Sequence, residues 1–218
     1  LWRVSPEPQT TRNDEVRESI ETARGETVFD ERRRAVLDML GFGSEEATVT
    51  GGNGDDYGVA GVFLRLIELP DPAVMEVITV VIGETLAAGS AAVEAVGTEI
   101  GIDMADWWQA DEALFGLIRD RDVLGRIVGD VAGQLIATAN AGEKSKTLKR
   151  IIADHLAGAE GRAKVERWVP RWMQFPPSAY TTRGGVGTVA AHAKVVAARD
   201  ITAAPDPEEQ HEPFKEAA

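Results

Sequence analysis

Apolar side chains recur along this chain at spacings of three and four, a period that predicts helices over most of its length. Asn13 offers an N-cap ahead of Asp14 and Glu15, acids that suit the positive end of a helix dipole. Val16, Ile20 and Ala23 continue as a thin stripe, with Gly25 as a stop. Thr27, with Asp30 three residues on, predicts a second helix start. That helix turns Val36, Leu37 and Leu40 inward beside Arg32, Arg33 and Arg34, and ends at Gly41 and Gly43. The run VAGVFLRLIEL (59–69) fits helix or strand by period alone, and its helical neighbours favour helix. Asp71-Pro72 predicts the next start, with Asp71 as cap. The following run is expected to bury Val74, Val77, Ile78, Val81, Ile82 and Leu86, with a buried strand over 77–82 as the alternative. Residues 87–96 are small and suit the close approach of another helix.

Asp111 or Glu112 begins a helix whose apolar side holds Leu114, Phe115, Leu117 and Ile118. Arg119-Asp120-Arg121-Asp122 breaks the pattern as a tight corner. Val123, Leu124, Ile127, Val128, Val131, Leu135 and Ile136 then predict one amphipathic helix that ends at Ala141-Gly142. Ser145 or Thr147 opens another with Leu148, Ile151, Ile152 and Leu156 inward and Gly158 as its stop. Residues 162–172 read as a short helix interrupted by Pro170, and Pro176-Pro177 ends regular structure. The pattern therefore predicts an all-α, irregular multi-helix domain with an extended N-terminal lead-in and a loose C-terminal tail. Its expected parts are a lead-in with two short helices (1–40), a Gly-rich linker (41–58), a helical core (59–178) and a flexible tail (179–218).

Composition narrows the chemistry. The chain has 218 residues, enough for one sizeable core, and no cysteine, which excludes disulfides, thiolate metal sites and a cysteine nucleophile. Its longest apolar run, 77–82, is far too short to span a bilayer, so no membrane partner is expected. The chain opens on Leu1, which reads as the later part of a longer protein; a cytoplasmic location fits the cysteine-free composition. The net charge of −13 hides a reversal. Residues 1–142 hold 11 arginines, no lysine and 26 acids, whereas residues 143–199 hold 11 lysines plus arginines against 4 acids. A basic block of this kind can neutralise the acidic half of its own fold. It can also contact phosphate, because charges more than about 10 Å away are largely screened.

The best binding candidates lie in that block. Lys144, Lys146, Lys149 and Arg150 fall on the side of a predicted helix away from Leu148, Ile151 and Ile152. Arg167 and Arg171 share an i, i+4 spacing, and Trp168 and Trp172 repeat it one residue on. Cations beside aromatics suit nucleic acid; the alternative is a solvated face with the tryptophans in the core. Trp107 and Trp108 are adjacent, so on a helix one is buried and the other is left for an interface or a cap. The linker GFGSEEATVTGGNGDDYG has six glycines in eighteen residues but neither phosphate-loop nor calcium-loop spacing, and reads as a plain loop. His155, His192 and His211 are too far apart in sequence to make a metal site, and no cofactor is indicated. Asp103 with Asp106, and Asp120 with Asp122, fit caps and surface charges better than acid–base pairs, so no catalytic residue is assigned. Two helices around Ala141-Gly142, with Lys146 and Thr147 at the start of the second, carry only a faint helix-turn-helix signal.

Three stretches carry a family resemblance: MEVITVVIGETLAAGSAAVEAVG (75–97), GIDMADWW (101–108), and SKTLKRIIADHL (145–156) with WVPRWMQFPP (168–177). Over residues 1–178 they resemble the C-terminal region of long ParB-like partition proteins of bacterial plasmids and chromosomes. The resemblance implies an all-helical downstream module of a DNA-binding segregation or regulatory protein, with a nucleoid- or plasmid-associated location. Its implied partners are DNA, through the full-length protein, and a second copy in a homodimer. The N-terminal nuclease-like and central helix-turn-helix domains of that family have no counterpart here, so no nucleotide-binding or catalytic residue carries over.

Overall fold

The protein is described by a computed structural model over residues 12–43, 48–49, 56–183 and 186–203. Among the described residues it forms helices and no strand. In chain order the helices are α1 (Asp14–Glu21), α2 (Arg24–Leu40), α3 (Asp56–Leu66), α4 (Asp71–Thr85), α5 (Ala91–Glu99), α6 (Glu112–Leu117), α7 (Arg121–Ala132), α8 (Gln134–Ala139), α9 (Ser145–Ala157) and α10 (Gly187–Ala203). The all-α class read from the hydrophobic period is the class observed.

Two apolar clusters organise these helices. In the first, Val36, Leu37 and Leu40 of α2 meet Val77 and Val80 of α4, with Val49 beside them. In the second, Phe115 and Ile118 join Leu124, Ile127, Val128 and Val131 of α7, Ala137 of α8, and Leu148 and Ile152 of α9. Helix α1 touches α2 and α6, while α5 and α10 pack against each other. Helix α5, which carries the later part of the small-residue stretch, does pack against another helix, α10. A β-carbon at Gly97 of α5 would collide with the Phe175 ring, so only glycine fits there.

The predicted caps are mixed in outcome. Asn13 caps α1 by accepting from the Glu15 N–H at 3.1 Å, and Asp111 caps α6 through the Leu114 N–H at 2.9 Å. Asp120 caps α7, and Gly158 closes α9 in the left-handed conformation. Gly25 does not stop a helix, and Thr27 does not cap one. Helix α2 already begins at Arg24, and the Thr27 hydroxyl donates back to the Ala23 carbonyl at 3.0 Å. The Gly25 N–H, an orphan donor of the first turn, is satisfied instead by the Trp107 carbonyl at 2.9 Å. A partner 82 positions away thus replaces the local cap. Asp71 lies inside the first turn of α4 and makes no side-chain cap, because Pro70 occupies the cap position.

Burial corrects the predicted stripes in three places. Helix α4 buries Val77, Val80 and Glu84, while Ile78, Ile82 and Leu86 stay exposed. Its sequence is apolar on nearly every side, so the period shows a helix but not its inward face; only the position of α2 decides that. No strand forms over 77–82. Gly133, at φ 89°, divides the predicted long helix into α7 and α8, and the changed direction leaves Leu135 85% exposed. Leu117 is also exposed. Residues 162–170 do not form a helix. Pro170 and a left-handed Arg167 (φ 59°) forbid one, and the Val165 N–H instead straps this segment to the His155 carbonyl of α9 at 3.1 Å. Finally, α10 occupies a stretch that reads from sequence as tail, with Ala191 and Val195 buried and Tyr180 buried just before it. His211 and the Gly-rich run 50–55 lie outside the described residues.

Candidate functional site: the basic residues and the tryptophan cleft

The six predicted cations separate into two groups. Arg167 and Arg171 do not share a helical face, since the helix meant to carry them is absent. The Arg167 backbone takes the left-handed region, which turns its guanidinium across to the segment before α6. There it donates to Asp106 at 2.8 Å and to Asp103 at 2.5 Å. The hydrogen bonds that it donates to both carboxylates raise the Arg167 guanidinium further above its ordinary range. Asp103 is held below the usual carboxylate range, first by the Ala105 N–H and then by Arg167. Asp103 and Asp106 are therefore structural anchors of this strap, and Asp103 also caps the short 3-10 turn Met104–Asp106.

Arg171 belongs to a second internal network. Its guanidinium pairs with Asp130 of α7, and the Tyr180 hydroxyl donates to the same carboxylate at 2.9 Å. The Arg171 guanidinium also lies 4.9 Å from the centre of the Tyr180 ring. Burial pushes the Tyr180 phenol well above its ordinary range, and the Asp130 charge adds to the effect. Trp172 meets Tyr180 edge-on at 5.0 Å, and its carbonyl accepts from the Thr188 hydroxyl of α10 at 2.7 Å. Trp168 stacks with Phe115 at 6.4 Å. Trp168 and Trp172 are thus packing residues at the edge of the second cluster rather than a free stripe.

Lys144, Lys146, Lys149 and Arg150 stand differently. They occupy the start and outer side of α9, opposite buried Leu148 and Ile152, as the sequence predicts. None of the four forms an ion pair with another described residue. Lys144, Lys146 and Arg150 are exposed and Lys149 is half-buried. What remains of the predicted basic surface is therefore one end of one helix.

A cleft of about 590 Å³ opens where α1 and α2 meet the Trp107–Trp108 loop and the 164–168 strap. Arg24, Trp107, Trp108, Lys164, Arg167 and Trp168 line it. Trp107 is 39% exposed, with the Arg24 guanidinium 5.5 Å from its ring centre. Trp108 is half-buried, so neither of the adjacent rings is fully covered, and both follow the 3-10 turn Met104–Asp106 instead of lying on a helix. The charged side chains here have partners: Arg167 pairs with Asp106 and Lys164 with Glu166 at 3.8 Å, Asp111 accepts from the Ser19 hydroxyl, and Arg24 donates to the Asp106 carbonyl at 3.0 Å. The cleft is an internally neutralised seam, and Arg24 already covers its most exposed ring.

The described residues contain no group of three or more acidic or histidine side chains placed to hold a metal ion. The His155 ring nitrogen Nδ1 bonds the Ile151 carbonyl at 2.8 Å within its own helix. Sequence reasoning missed Asp130, Tyr180 and Glu94. Asp130 and Tyr180 are 50 positions apart and come together only when the chain after Pro177 folds back on α7. Glu94 is the one charge between Glu84 and Glu99, in a stretch of small and apolar residues, and that signal was legible. Comparison with family models, with characterised proteins and with solved structures found no match to this chain. No helix among the described residues is long and apolar enough to cross a membrane.

Proposed function

We propose that this chain is an interaction and assembly module of a ParB-like DNA-binding protein that acts in plasmid or chromosome partition. The resemblance of residues 75–97, 101–108, 145–156 and 168–177 supplies the family, and one structural observation supports the assembly role. Met75, Ile78 and Ile82 form a single exposed row on α4, at spacings of three and four, while α3 leaves Phe63, Leu64 and Ile67 exposed. Large apolar side chains grouped in this way mark contact surfaces.

A second copy of the chain is the occupant that fits. A two-fold contact sets a surface against itself, so any charge in it meets its own kind. The α4 row is free of charge, and the nearby Glu76 is matched by Arg32 at 3.8 Å. With a net charge of −13, two copies repel over much of their surface, which favours an uncharged face as the place where they meet. Fully burying a large apolar side chain contributes about 1.5–3 kcal/mol, so the three half-exposed ones of the α4 row contribute on the order of 2–5 kcal/mol. Association costs about 4–15 kcal/mol. Pairing should therefore depend on concentration and be sensitive to a single lost side chain. Light scattering across a dilution series is expected to show dimers that Ile82→Glu converts to monomers. A native chain that stays monomeric at high concentration overturns the assembly reading.

Nonspecific DNA contact is the second reading, favoured by the four α9 cations that no described carboxylate neutralises. Each phosphate contact adds about 0.9 to the slope of log affinity against log salt. The double change Lys149→Glu with Arg150→Glu should flatten that slope by about two. No DNA binding at low salt ends this reading and leaves the assembly role standing.

A further inference from the structure

The seam between α5 and α10 buries a polar cluster that neither the scaffold nor the proposed contacts use. Glu94 is 2% exposed, in a helix whose other inward residues are small or apolar. Three buried polar atoms at this seam lack any hydrogen-bond partner: Glu94 Oε2, Thr98 Oγ1 and His192 Nδ1. Thr98 lies one turn beyond Glu94 on the same side of α5, and His192 comes from α10 between buried Ala191 and Val195. A buried carboxylate is tolerated when it is paired and hydrogen-bonded, and is otherwise strongly unfavourable. Glu94 accepts no hydrogen bond from α10, and the charge of His192 is the main favourable influence on its ionised form. Of the other charges on α5 and α10, Lys194 and Asp200 are exposed and pair with no described residue. Glu99 pairs with Arg199 at 2.8 Å, and Arg171, in the turn packed on α10, pairs with Asp130.

We propose that α10 is a proton-dependent latch on α5, docked while the Glu94 carboxyl carries its proton and loosened when that carboxyl ionises. A neutral carboxyl costs far less to bury between two close-packed helices than a carboxylate. In the docked state burial raises the Glu94 titration above the ordinary carboxylate value of 4.5, and His192 opposes the shift only in part. When α10 lifts, the carboxyl regains water and returns to that ordinary value. The docked state therefore holds one proton more than the open state between those two values. The contribution to docking is complete below the ordinary value and is lost as pH rises through the raised one. Release would expose Ala191 and Val195, so the latch can set which surface the chain presents.

Hydrogen exchange of the full chain, corrected for the intrinsic pH dependence of exchange, tests this. Between pH 4 and 8, the opening equilibrium of residues 187–199 should rise by up to tenfold per pH unit above the ordinary carboxylate value and then level off. Protection of α7 and α9 should stay constant. Glu94→Gln, which is neutral at every pH, should hold α10 protected throughout and remove the dependence. If that variant does not fold, infrared difference spectra of the native chain give an independent reading. A buried protonated carboxyl band should be present with α10 protected and fade as its protection falls. The latch is overturned if native α10 protection does not change with pH, if Glu94→Gln keeps the native profile, or if no such band exists.

Discussion

Gly158 shows how one residue can be legible in sequence for a local reason and constrained in the fold for another. Its place after an amphipathic run marks a helix end, and it adopts φ 69° as such an end requires. A β-carbon there would also lie 3.0 Å from Lys164 Cβ and 3.1 Å from Lys164 N, a crowding that no local rule contains. Gly158→Ala is expected to lose about 1–2 kcal/mol from the left-handed conformation alone. At about 2–4 °C per kcal/mol for a chain of this size, the melting temperature should fall by several degrees in a thermal scan. Gly116 is the control. It lies inside α6 with open space where a β-carbon would sit, so Gly116→Ala should be neutral or slightly stabilising. Arg167 is the contrasting case. Its spacing from Arg171 suggested a shared helical face, yet a left-handed backbone and two aspartates more than 60 positions away fix where its charge goes.

Among the elements, α9 was read almost fully from its period, while α4 and the α7–α8 pair were read only as helical. The difference is contrast. In α9 the lysines and arginine on one side leave a single choice of inward face, and Leu148 and Ile152 are buried as that choice requires. In α4 nearly every side is apolar, so burial follows the one helix that arrives, α2. Leu135 continued the stripe of α7 on paper, but the turn at Gly133 sends it outward. Equal truncations should separate these cases. Ile152→Ala is expected to cost about 2–5 kcal/mol, because it opens a cavity in the second cluster. Leu135→Ala should change stability by less than about 0.5 kcal/mol. Chemical denaturation of the two variants checks both, and equal losses would mean that α8 packs differently from this description.

For the whole molecule, the charge reversal along the chain is resolved mostly within the fold. Arg167, Arg171 and Arg183 from the basic block find Asp103, Asp106, Asp130 and Asp122 from the acidic part, while the cations at the start of α9 and Lys194 pair with no described carboxylate. Self-association through α4 carries a consequence at this scale. A pair that forms only from folded copies stabilises them by mass action, so the melting temperature should rise with protein concentration. Ile82→Glu should abolish that rise, which a calorimetric dilution series would detect. The sequence by itself determined that the chain is helical, where some helices begin or end, as at Asn13, Asp111 and Gly158, and that its cations gather late, because period, caps and charge are local properties. Only the tertiary structure decided which side of an all-apolar helix faces inward, which arginines remain available, and that Glu94 and His192 share one dry seam. Those outcomes depend on partners tens of residues away, and no local pattern records where the chain will bring them.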